Sequence, residues 1–136
     1  MGAWGVEAFD NDAANDWAYD LEDAADLNMV AAAIAEVEAT AGDYLEQDTA
    51  CRALAACEVI ARMQGRPGYT NAYTEKVDRW VAAHPTTPST ELVARAAACI
   101  DRIGGADSEL AELWSDSSDA QSWREALSGL RARVTG

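Results

Sequence analysis

Apolar residues recur along this chain at three- and four-residue intervals, Gly and Pro interrupt the pattern repeatedly, and no segment alternates convincingly between apolar and polar positions. That pattern restricts the fold to an all-α architecture of about six to seven antiparallel helices behind an extended N-terminal arm, residues 1–9. Connections are short, so helices adjacent in sequence are expected to pack as hairpins. Both a compact bundle and a short right-handed stack of helix pairs satisfy this. Ala-Ala-Cys recurs at Ala55–Cys57 and Ala97–Cys99, about one helix-pair repeat apart, which is slight support for the stack.

The first helix opens at Asn11-Asp12, whose side-chain oxygens suit a cap, with Phe9 placed to staple the first turn and Trp17, Leu21 and Ala24 facing inward. A second is expected over 28–40 on Val30, Ile34 and Val37. A third, over 48–64, places Cys51, Leu54, Cys57, Ile60 and Ala61 on a broad buried face, and Gly65-Arg66-Pro67-Gly68 ends it, with Arg66 free to pair toward the acidic half. Tyr73, Val77, Trp80 and Val81 define a fourth, stopped at His84-Pro85 because proline disfavours helix in its predecessor. Thr87 is the expected cap of a fifth helix with Pro88 at its first position and a stripe through Leu92, Ala96, Cys99, Ile100 and Ile103. Asp107 is expected to cap a short sixth helix bearing Leu110, Leu113 and Trp114. Ser118 and Gln121 read as a capping box for a seventh, which Trp123, Leu127, Leu130 and Val134 line.

A length of 136 residues suits one domain, and 49% hydrophobic residues are enough for a core without staples. A single all-α domain over 1–136 is therefore expected. No run approaches the roughly 20 apolar residues that cross a bilayer, and no basic-then-apolar leader opens the chain, which makes cytoplasm the expected compartment. Cysteine spacing offers no zinc pattern, and Cys51 and Cys57 are too far apart along one helix for a disulfide. All three cysteines read as reduced and buried, and no cofactor is implied.

Charge is distributed unevenly. The formal net charge is −14, and the first 50 residues hold thirteen carboxylates and no Lys or Arg, the first base being Arg52. Such a half repels nucleic acid and anionic membranes, and it favours a basic protein surface. The candidate partner-binding residues are therefore Trp4, Phe9, Asp10, Asn11, Asp12, Asp16, Trp17 and Asp20. In the same segment, Trp4 and Phe9 equally suit a plug for the bundle's end, and burial decides between the two roles. A calcium loop starting at Asp10 fails, because Ala14, Asn15 and Leu21 stand where an EF-hand needs an oxygen ligand, glycine and glutamate. Asp16, Asp20 and Asp23 share a helical face and read as solvated. His84, the only histidine, reads as a helix-end surface residue.

The stretch Met1-Gly2-Ala3-Trp4-Gly5, then Phe9-Asp10-Asn11-Asp12, Trp17, Gly65-Arg66-Pro67 and Ser108–Trp114 with Trp123 resembles a bacterial family known as domain of unknown function 4259. The resemblance spans nearly the whole chain, departs from the family at Glu7, where a glycine is expected, and implies one domain without any activity. Three functions follow as expectations. The first is a non-enzymatic acidic interaction module of a regulatory, adaptor or immunity-like kind. The alternatives are a hydrolase-like enzyme with carboxylates between helices, and a cation-binding domain.

Overall fold

The structure, a computed structural model, describes residues 5–136, and among these it forms seven helices and no strand: α1 (Asp12–Leu21), α2 (Asn28–Glu38), α3 (Gln47–Met63), α4 (Glu75–Ala83), α5 (Thr90–Ile103), α6 (Glu109–Ser115) and α7 (Ala120–Thr135). No helix among them is long and apolar enough to cross a membrane.

The organising element is α3, against which each of the other six helices packs. Every residue from Ala50 to Arg62 except Arg52 is buried, so this helix has no solvent face over that stretch. Its composition explains why: Ala50, Ala53, Ala55, Ala56 and Ala61 carry small side chains that let neighbours approach from all sides. A central helix touched by all others excludes the stack, in which each pair would meet only its neighbours. The sequence-neighbour expectation holds for α2 with α3, α3 with α4 and α6 with α7. Elsewhere it gives way, since α1 packs chiefly on α3 and α4, and α5 on α7 and α2.

Local stops and starts follow the chemistry of single residues. Asn11 caps α1, its Oδ1 accepting from Ala14 N at 2.8 Å while its Nδ2 donates to Ala8 O at 3.1 Å. Substituting Asn11→Ala removes both bonds, and thermal unfolding should report a loss of about 1 kcal/mol, within the 0.5–2 typical of caps. After α3, Gly65 takes φ +79°, Gly65 N donates to Arg62 O and Arg66 N to Ala61 O, each at 3.0 Å, which is a Schellman stop. Arg66 itself reaches no carboxylate among the described residues and donates to Arg133 O at 3.4 Å.

Four local expectations are corrected. Ser89, not Thr87, caps α5, its Oγ accepting from Leu92 N at 3.0 Å, and Pro88 is buried ahead of the cap. Ser108, not Asp107, caps α6; Asp107 adopts φ 55° and its carbonyl instead accepts from Leu45 N at 2.8 Å, with Glu109 N returning a bond to Leu45 O. That exchange ties the α2–α3 loop to the start of α6 and takes Asp107 out of a capping conformation. The α7 N-terminus starts after Asp119 without a side-chain cap, and Gln121 bonds Glu125 rather than completing a box. Tyr73 lies before α4 and is 44% exposed, because Asn71 and Thr74 fold the preceding residues into a turn.

Candidate functional site

The structure separates the seven described candidate residues into core and surface. Phe9 (0% exposed), Trp17 (6%) and Asn11 belong to the interior, so Phe9 and Trp17 act as plugs of the bundle and offer no aromatic anchor to a partner. Asp10 is half-buried, its Oδ2 accepting from Glu7 N at 3.1 Å, whereas Asp12, Asp16 and Asp20 are exposed. Trp4 lies outside the described residues. Asp10, Asp12 and Asp16 do not converge, and among the described residues no three His, Cys, Asp or Glu side chains are grouped as metal ligands.

On the outer face of α1, sequence reasoning passed over Tyr19. It is 66% exposed, and Asp12, Asp16, Asp20 and, just past the helix, Asp23 surround it. Helical spacing of three and four residues makes this one stripe. On the side nearest α4, Lys76 Nζ stands 5.5 Å from the Tyr19 ring and Arg79 approaches Glu22 at 3.9 Å. Among the described residues, no cation pairs with Asp12, Asp16, Asp20 or Asp23. Carboxylates elsewhere in the acidic half are better matched: Arg95 grips Glu38 through two bonds of 2.8 and 3.0 Å, and Arg52 approaches Glu36 at 3.6 Å.

A second constellation lies inside the fold, and sequence reasoning missed it. Glu58, with a side chain 1% exposed, accepts two bonds from Arg133 at 2.8 and 2.9 Å. One turn on, Arg62 donates to Asp78 Oδ1 at 2.9 Å and to Tyr69 O at 2.8 Å, and its guanidinium stands 5.0 Å from the Tyr69 ring. Its Nε sits 3.7 Å from Glu58 Oε1, an ion-pair contact, and has no hydrogen-bond partner among the described residues. Thr74 supports the far end through Asp78 Oδ2 at 3.0 Å. The cluster thus links α3, α4, α7 and the α3–α4 loop. The one signal in the sequence is that Glu58 and Arg62 are the only charges in the second half of α3, four residues apart on one face.

Electrostatics at this cluster follow burial. The hydrogen bonds it donates to Glu58 hold the Arg133 guanidinium above its usual range. Burial, and then the Glu58 charge, push the Tyr69 phenol up. Glu7, on the arm beside Glu58, is raised above its ordinary 4.5 by burial, and next by repulsion from Glu58 and Asp10. The three cysteines are free and buried. Burial pushes the Cys51 thiol up to about 12, and Cys57 is raised by its hydrogen bond with Cys99 and then by burial, so both stay protonated and unreactive near neutrality.

Open clefts lie elsewhere. The one beside α6, about 680 Å³, is lined by Asp107, Glu112, Ser115, Asp116 and Arg124. Two of its groups are already engaged: Tyr44 donates to Glu112, and Ser115 Oγ donates to Ala111 O of its own helix at 2.7 Å. His84 is far from that role, half-buried and stacked on Trp80 with ring centroids 4.4 Å apart, its Nδ1 2.8 Å from Trp80 O. Nucleophile and base are therefore not paired at this cleft.

A family model described as Domain of unknown function (DUF4259) matches residues 2–126 of the chain. No curated protein and no solved structure matches it.

Proposed function

The chain belongs to the DUF4259 family, and from that premise we propose that it is an acidic, non-enzymatic protein-interaction module, regulatory, adaptor or immunity-like in kind, whose α1 face docks a basic protein surface. The observation that carries this reading is the stripe of Asp12, Asp16, Asp20 and Asp23 around the exposed Tyr19, four carboxylates that no cation of the described residues neutralises. An exposed tyrosine with unpaired carboxylates along its helix and Lys76 over its α4 side supplies what a hot spot needs: apolar area, a hydroxyl, and charges that steer a cationic partner into register. Nucleic acid and anionic membranes are repelled by the same field. The buried cluster serves this face indirectly, because Asp78 and the α4 framework that flanks α1 are held by Arg62.

Charge reversal tests it. The double substitution Asp16→Lys, Asp20→Lys is at solvent-exposed positions and should change stability by no more than about 0.5 kcal/mol. Retention of a stoichiometric basic partner by the wild-type protein at about 50 mM salt should vanish in the variant, and also at about 1 M salt, where the screening length shrinks to about 3 Å. Equal retention by wild type and variant would end the assignment to α1. Retention that survives high salt would end its electrostatic basis.

A further inference from the structure

Residues 5–8 of the arm roof a crevice in the body of the fold. Two narrow cavities lie beneath them, one of about 10 Å³ bordered by Leu54, Glu58 and Leu130, the other of about 20 Å³ bordered by Cys51 and the stacked Trp114–Trp123 pair. Each has room for about one water, so the closed arm keeps bulk solvent from the Glu58 carboxylate.

The arm's attachment is uneven along its length. From Ala8 onward it is secured: Asn11 Nδ2 donates to Ala8 O, Asn15 Nδ2 to Phe9 O at 2.7 Å, and Phe9 N to Tyr69 Oη at 3.4 Å. Before Ala8 the hydrogen bonds among the described residues are internal to the arm, Glu7 N donating to Asp10 Oδ2 and Asp10 N to Glu7 O at 3.0 Å. Among the described residues, it is the packing of Val6 and Glu7 that holds that end down. Glu7 is faced by Glu58 and Arg62 of α3, Arg133 of α7, Tyr69 of the α3–α4 loop and Asp10 of the arm. Both cations are already engaged, Arg133 by Glu58 in two bonds and Arg62 by Asp78 and the Tyr69 carbonyl. An ionised Glu7 therefore brings a second negative charge beside Glu58 and, among the described residues, has no cation of its own.

We propose that residues 5–8 form a proton-operated strap, closed over Glu58 and the Trp114–Trp123 pair when Glu7 is protonated and lifted from the crevice when Glu7 is ionised. The closed form holds the proton more tightly than the open form, as the raised value of Glu7 requires. Closure is thus fully favoured below the ordinary 4.5 and loses that support as pH rises through the raised value. The pivot is the Phe9–Asn11 segment, which stays anchored in both states.

Hydrogen exchange on the full chain, corrected for the intrinsic pH dependence of exchange, reads the strap directly. At about pH 4 the Glu7 and Asp10 amides should be protected, and at about pH 7 that protection should be lost while α3 amides keep theirs. Glu7→Gln, neutral at both values, should stay protected throughout. Equal protection of wild type at the two values would overturn the proposal, as would a loss in Glu7→Gln matching wild type, which assigns the titration to another group. Loss extending through α3 would overturn it too, since the change would then be unfolding.

Discussion

Replacing Arg133 with methionine should lower the unfolding free energy by about 3–5 kcal/mol, read as a shift of the urea midpoint at unchanged slope. The size comes from what is left behind. Glu58 is buried on α3 with its two oxygens bonded to Arg133, and without that partner its charge keeps only the 3.7 Å approach of Arg62 Nε. Arg133 retains 19% of its side chain exposed, so water entering the vacated space places the expected loss toward the lower end of the range. Adding Glu58→Leu to Arg133→Met should recover much of the loss, because Arg62 still has Asp78 and the Tyr69 carbonyl, and the buried carboxylate is gone. A single-variant loss below about 1 kcal/mol would mean that Glu58 reaches solvent or another cation, and the ion cluster would have to be redrawn.

The second large effect is expected at the arm. Phe9→Ala should cost about 3–5 kcal/mol by thermal or urea unfolding, the range for deleting a fully buried phenylalanine. Phe9 is 0% exposed and belongs to the same core cluster as Trp17, Leu21 and Leu54, and its own carbonyl and that of Ala8 accept bonds from Asn15 and Asn11 that tie the arm to α1. A partner-anchoring Phe9 would instead leave stability unchanged and weaken binding. The same contrast separates Trp17, buried on α1, from Tyr19 two residues later, where loss of the side chain should leave the fold intact.

What reading the sequence achieved depended on how local the controlling physics was. Helix boundaries came out within about a turn, because a helix is stopped by its own glycine or proline, as at Gly65 and Pro85. Caps fared worse. Asn11 was legible, but Asp107 and Ser108 compete for the same role, and the choice fell to Ser108 because Leu45, far away in sequence, claims the Asp107 carbonyl. Of the candidate partner residues, the exposed aspartates were legible from charge, whereas the aromatic residues were not: Trp17 and Tyr19 are equally plausible anchors in a linear string, and α3 and α4 decide which of them is covered.

Periodicity, punctuation and composition alone determined that the chain is all-α, where its helices begin and end to within a turn, and that its first 50 residues are a field of carboxylates. These are properties of neighbouring residues, and each helix declares them through its own spacing and breaks. The placement of α3 at the centre, the pairing of Glu58 with Arg133 seventy-five positions away, and the lone Glu7 over that pair belong to the tertiary structure. An Ala-rich helix whose second half carries two charges is compatible with a surface or an interior, and only the packing of six other helices around it removes the water that would otherwise make those charges ordinary.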